Sequence, residues 1–285
     1  MTNFLKAPSL LSFANAKFYN NLNPYKMKTI FRLKMTFITF FIAVIVMSCT
    51  ITYGSGNSNN STVTEALAKA KKDGNAVFLV ITGTGDTLHE KAMDIAKSAS
   101  KLEKKSEVLE LDKSDTVNKN LVTLYGLAFA PVPAILVFSH NGILMNGYTY
   151  SQATAEVLVK AIPSPKKDDI LLAMSNNKSV FVVVTKKSYI DQYDKISSCD
   201  SAIAKMDNKA ELVKVYLDDT KEKELLDLLK FDFASAKTAV VVLNAKGVVN
   251  ATYYELTYAA ALVTAASKVA SSCCSGSNKT CTPKK

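Results

Sequence analysis

The chain has a single arginine, only two histidines (His89 and His140), and nowhere the pair Cys-x-x-Cys. Each scarcity excludes a class of function. Nucleic-acid binding calls for basic side chains clustered on one face, arginine forks prominent among them. Here the one arginine, Arg32, lies in the first 48 residues beside Lys6, Lys17, Lys26, Lys28 and Lys34, a stretch without a single acid. The formal charge of +10 falls to +4, 29 basic against 25 acidic residues, once that stretch is set aside. No nucleic-acid partner is expected. Two histidines make a poor metal site, since zinc is held by three or four protein ligands, and no metal or other cofactor is expected. Gly83-Thr84-Gly85 is followed by no further glycine and no Gly-Lys-Ser/Thr, so it is not a phosphate loop. A long apolar run is missing too. Met35 to Met47 is almost wholly apolar and then stops, short of the roughly 20 residues that cross a bilayer comfortably.

That short run fits the core of a signal peptide, with Lys28, Arg32 and Lys34 as its positive leading region. Met27-Lys28-Thr29 begins such a signal better than Met1 does, so Met27 is the expected start and residues 1–48 the expected leader. Val46-Met47-Ser48-Cys49 resembles the lipobox of bacterial lipoproteins. The resemblance implies cleavage before Cys49, acylation of its thiol and amine, and a chain held in the bacterial cell envelope by a lipid anchor. Residues 49–61, with Gly54-Ser55-Gly56-Asn57-Ser58-Asn59-Asn60-Ser61, have the small polar composition of a flexible tether.

The rest of the chain carries one pattern twice. Ala76-Val77-Phe78-Leu79-Val80-Ile81-Thr82 is matched by Ser179-Val180-Phe181-Val182-Val183-Val184-Thr185. Each is a near-continuous apolar run rich in β-branched residues, of the kind that is buried on both faces. Ala134 to Phe138 with Asn141-Gly142 is matched by Ala239 to Leu243 with Lys246-Gly247, each a strand entering a hairpin. Helical spacing fills the gaps: Thr62 to Lys72, Asp86 or Thr87 to about Leu102, Ser114 or Asp115 to Gly126, Ser151 to Ile162, and then Asp168 to Met174, Ser188 to Met206, Thr220 to Leu229 and Leu256 to Ala270. Pro163-Ser164-Pro165 breaks the chain between the copies. The expected divisions are residues 62–165 and 166–270, with a cysteine-bearing tail at 271–285.

The order α-β-α-β-α-β-β-α, with Pro133 just before a strand and Asn141-Gly142 at the next hairpin, resembles the thioredoxin family. The resemblance implies an α/β fold of two tandem thioredoxin-like domains, each a three-layer α/β/α sandwich about a mixed central sheet, with a cis peptide at Pro133. In the second copy Thr238 aligns with Pro133, and a trans peptide is expected. The family's dithiol lies between the first central strand and the following helix, whose N-terminus activates the thiol. Here that place reads Thr82-Gly83-Thr84-Gly85-Asp86-Thr87-Leu88-His89-Glu90. One register puts Asp86 and His89 where the cysteines stand; a shift by one puts Thr87 and Glu90 there. The second copy reads Thr185-Lys186-Lys187-Ser188-Tyr189-Ile190-Asp191. With sulfur at neither place, dithiol exchange has no footing there. Asp86 and Ser188 are read as helix caps.

The expected role is therefore non-catalytic: a scaffold binding an envelope protein or peptide through the face around Asp86, Thr87, Leu88 and His89, with Val132 and Pro133 opposite. Tyr148, Tyr150, Tyr253, Tyr254 and Tyr258 occupy matching places and are read as packing between the two domains. Four cysteines remain beside Cys49: Cys199, Cys273, Cys274 and Cys281. An exported chain favours disulfides, with three pairings open among four cysteines. The alternative is thiol-disulfide exchange or soft-metal handling by the tail.

Overall fold

The computed structural model describes residues 62–234 and 237–268. The leader, Cys49, the tether and the tail cysteines Cys273, Cys274 and Cys281 lie outside the described residues.

The chain enters through helix α1 (Val63–Asp73), closed at its start by a reciprocal pair in which Thr62 accepts from the Glu65 backbone and Glu65 from that of Thr62. Gly74 ends it in the left-handed conformation that glycine adopts without a Cβ clash. Strand β1 (Ala76–Thr82) is buried at every position. Helix α2 (His89–Leu102) and strand β2 (Ser106–Asp112) follow, then a 3-10 turn and helix α3 (Lys119–Leu124). Strands β3 (Ala134–Phe138) and β4 (Leu144–Thr149) form a hairpin, and helix α4 (Ala155–Lys160) closes the unit. The sheet order is β2-β1-β3-β4. β1 and β2 run parallel, and the other two pairings are antiparallel.

The second unit repeats this. Helix α5 (Pro165–Ser175) leads into β5 (Ser179–Thr185), α6 (Gln192–Lys205), β6 (Ala210–Tyr216), α7 (Lys223–Leu228), β7 (Ala239–Leu243), β8 (Val249–Tyr253) and α8 (Ala259–Ser267). Its sheet order is β6-β5-β7-β8, with the same directions. Even the hairpin irregularity recurs, at Val137/Phe138 and at Val242/Leu243.

Each sheet separates two apolar layers because strand side chains alternate. Val77, Leu79 and Ile81 join Ala70, Leu121 and Leu127 on one face of the first sheet. Phe78 and Val80 join Ala92, Ala96, Ala99 and Leu158 on the other. In the second, Val180, Val182 and Val184 pack with Ile170 and Leu225, and Phe181 and Val183 with Cys199, Ala202 and Leu262. The chain is thus two tandem thioredoxin-like α/β domains, each a mixed sheet between helical layers.

Several helix starts differ from the sequence reading. α2 begins at His89, because Asp86 Oδ1 accepts from Leu88 N at 2.9 Å and holds a turn ahead of the helix. α6 begins at Gln192 rather than Ser188. α4 is capped by Thr154, whose side chain accepts from Val157 N, while Ser151 sits in the preceding 3-10 turn. α5 begins at Pro165 rather than Asp168, with the proline in its first turn. Its free N–H ends are met from a distance: Glu222 accepts from Lys166 N at 2.9 Å and from Ser164 Oγ at 2.6 Å.

The tyrosines also serve their own sheets rather than a contact between the units. Tyr148 and Tyr150 lie on the Phe78 layer, Tyr253 on the Phe181 layer and Tyr254 on the Val180 layer, while Tyr258 is exposed. A contact between the units comes instead from Asp168, only 2% exposed, whose Oδ2 accepts from Asn141 N at 2.9 Å.

Candidate functional site

The sites to compare are the two poles where β1 and β5 run out. Ile81 faces Ala134 across the sheet and Val184 faces Ala239, so Pro133 and Thr238 hold the same station. Val132–Pro133 is a cis peptide, and Thr238 follows a trans one. α2 and α6 each have 14 residues and start at the same distance past their strands, which makes Ala92 and Lys195 equivalent.

At the first pole, Gly85 takes a left-handed φ of 81° and lets the chain turn back toward α2. Thr84 N donates to Ser114 Oγ at 3.2 Å. The Lys113 ammonium donates to the Ala130 carbonyl at 2.6 Å, which anchors the loop that leads to Pro133. Pro133 is buried, Leu88 and Val132 half-buried, and Thr87 exposed. Asp86 and His89 do not form a pair. Asp86 serves Leu88, with its other oxygen buried and unbonded, and His89 Nε2 lies 3.2 Å from Glu110 Oε1 without hydrogen-bond alignment. Among the described residues no group of three or more His, Cys, Asp or Glu is placed to hold a metal ion. Phe129, four residues before Pro133, is 99% exposed.

The second pole is built differently. Lys195 enters from α6 with only 4% of its side chain exposed, and all three of its ammonium protons are used. They go to Asp191 Oδ2 at 3.0 Å, to the Tyr254 carbonyl at 2.7 Å and to the Thr238 carbonyl. Asp191 also accepts from Thr238, at Oδ1 from the hydroxyl (2.7 Å) and at Oδ2 from the backbone (3.2 Å). The Thr185 and Thr238 hydroxyls are 2.8 Å apart. Burial pushes the Asp191 carboxyl up, but the hydrogen bonds from Thr238 and Lys195, with the Lys195 charge, outweigh it and hold the group below the usual carboxylate range. This network is closed, and it leaves no nucleophile free. Sequence reasoning missed Lys195, although Gln192, Lys195, Cys199 and Ala202 share the buried face of α6.

Cys199 is a free thiol, fully buried against the Phe181 layer. Burial, aided by Asp200, pushes it up to about 12, so almost none of it is thiolate at neutral pH.

A strand order of 2-1-3-4, one parallel pairing, and a cis proline at the head of β3 define the class: a tandem thioredoxin-like protein. No protein-family model matches the sequence, and no curated protein does. Among solved structures, human ERp44 in its zinc-bound form is similar at 12% identity over 70% of this chain and 56% of that one, with a TM-score of 0.34. The first two thioredoxin domains of Saccharomyces cerevisiae Eps1p are similar at 12% over 76% of this chain and 100% of that one, TM-score 0.29. The NTD_N/C domain of alkylhydroperoxide reductase AhpF from Enterococcus faecalis is similar at 13% over 72% and 99%, TM-score 0.24. The chain spans a little over half of the ERp44 chains it matches. The fold assignment rests on strand order and register. Among the described residues no helix is long and apolar enough to cross a membrane.

Proposed function

We propose that this chain is a non-catalytic lipoprotein of the bacterial cell envelope, anchored through acylated Cys49, whose two thioredoxin-like domains (residues 62–165 and 166–270) bind a protein or peptide. The observation that carries the reading is the Lys195 network. At the pole where a thioredoxin keeps its dithiol, the second domain places a lysine whose every proton is engaged, beside a carboxylate and a threonine. Nothing there exchanges electrons or attacks a disulfide. At the first pole the turn Gly83 to Glu90 likewise holds no sulfur. Both poles keep a loop before the third strand that leaves a large aromatic side chain exposed, Phe129 in one and Phe233 in the other. Exposed apolar groups at matching places suit recognition of another chain.

The test is capture of a partner in intact envelopes with an amine-reactive cross-linker, comparing the wild type with Leu88→Ala and Val132→Ala. The reading expects a stoichiometric adduct that is indifferent to reductant and weakened by these substitutions. Adducts that dissolve on reduction and vanish with Cys273→Ser and Cys274→Ser would instead favour thiol exchange by the tail.

A further inference from the structure

Resting on that binding role, we infer that the pole of the second domain is a recognition site, and that its ligand is an extended peptide with an apolar side chain next to a lysine or arginine.

A cavity of about 480 Å³ opens there between the start of α6 and the segment after β8. Its two lips are apolar: Ile190 is 85% exposed and Leu256 56%. The half-exposed Phe233 ring stands beside the cavity, backed edge-on at 5.6 Å by the buried Phe231, which in turn meets Tyr254 of the cavity lining at 6.2 Å. Large apolar side chains left in water on both sides of a cleft mark a place where another chain covers them.

The floor supplies the charge preference. The lining holds three carboxylates, Asp191, Asp194 and Glu255, against two ammonium groups, Lys195 and Lys237. Lys195 has no proton left to offer. Lys237 is engaged with Glu255 at 2.6 Å. The hydrogen bond from Lys237 holds the Glu255 carboxyl below its ordinary range, so both Asp191 and Glu255 stay ionised at neutral pH. Among the described residues the Asp194 side chain, which lines the cavity, has no hydrogen bond or ion pair. An acidic ligand would meet a lining with one more carboxylate than ammonium group, its exposed ammonium, Lys237, already paired with Glu255. A cationic one finds Asp194 open and gains a charge-assisted bond, while its apolar neighbour covers Ile190 and Leu256.

The experiment is fluorescence anisotropy on the full chain in detergent, with labelled octapeptides of alternating leucine and lysine, leucine and glutamate, or serine and lysine. The leucine–lysine peptide should bind at least tenfold more tightly than either of the others. Ile190→Ser with Leu256→Ser should weaken it about tenfold, and Asp194→Lys should shift preference toward the leucine–glutamate peptide. Lys69→Ala, an exposed change on helix α1 of the first domain, should leave its binding unchanged. Equal binding of the two leucine peptides, or binding unaffected by the Ile190 and Leu256 changes, overturns the inference. So does failure of all three peptides while cross-linking still captures an envelope partner; that outcome leaves the binding role standing. Absence of any captured partner overturns the binding role itself.

Discussion

The Lys195 ammonium donates to the carbonyl of Thr238, the residue at the station of cis Pro133 in the first domain. In the first domain the Pro133 carbonyl accepts instead from the Tyr150 backbone at 3.2 Å. One backbone acceptor, repeated by duplication, is thus met by local chain in one copy and by a buried charge in the other. The size of the equivalent helix residue makes the difference. Ala92 leaves Pro133 to its neighbours, and Lys195 reaches past Asp191 to the strand entry.

Replacing Lys195 with methionine keeps the volume and removes three donors. The Thr238 and Tyr254 carbonyls then lose a partner, and Asp191 loses its counter-charge. Each buried orphan costs about 1–3 kcal/mol, so urea unfolding should show a loss of about 2–4 kcal/mol with an unchanged slope. Ala92→Val in the first domain should leave this network untouched.

Asp191 and Asp168 should give opposite pH signatures. Asp191 is held below its ordinary range in the folded chain, outweighed burial notwithstanding. Its contribution is therefore complete above the unfolded value of about 3.9 and is lost as pH falls through the lower folded value. Burial raises Asp168, against the hydrogen bonds from Ser139 and Asn141 that lower it. Its charged form costs stability at neutral pH, and that cost fades as pH falls through its raised folded value. Unfolding free energies measured from pH 7 to pH 3 should lose part of their acid decline in Asp191→Asn. The difference between Asp168→Asn and wild type should shrink as the solution is acidified.

Cys199 should be silent toward alkylation in the folded chain. In a variant with Cys49, Cys273, Cys274 and Cys281 changed to serine, iodoacetamide at pH 8 should leave the thiol unmodified for as long as the chain stays folded and label it fully in concentrated urea. Burial and a thiol pushed up to about 12 act in the same direction. Cys199→Ser should cost about 1–3 kcal/mol, because a hydroxyl enters an apolar layer without a partner.

The proposed lipid anchor makes a prediction for the segment before the folded domains. Cys49→Ser should abolish incorporation of labelled palmitate and move the protein out of the membrane fraction. The mature wild-type chain should have a blocked amino terminus, whereas an intact free Met1 would contradict the proposed leader.

Much of the fold was legible in the sequence because its signals are local. β1 and β5 are near-continuous apolar runs rich in β-branched residues, and the hairpins are marked by Gly142 and Gly247, both at φ 74°. The helix starts were less legible, because polar residues near them had other uses. Asp86 spends its carboxylate on a turn to Leu88, and α5 draws its cap from Glu222, 56 residues from Lys166 in sequence. The Lys195 network was hidden for a related reason. Asp191 and Lys195 stand one helical turn apart, the spacing of an ordinary surface ion pair. Only the approach of Thr238, just before β7, and Tyr254, just after β8, turns that pair inward. The tyrosines misled because aromatic residues at matching places suit an interface as well as a sheet edge, and their layers are decided by strand register.

The most direct test of the central claim is partner capture in intact envelopes under alkylating agent, analysed with and without reductant. The account predicts a cross-linked partner in stoichiometric amount whose adduct survives reduction and persists when Cys199, Cys273, Cys274 and Cys281 are all serine. A mixed disulfide that forms without cross-linker, disappears on reduction and is lost with Cys273 and Cys274 would contradict it and make the protein a thiol-exchange factor.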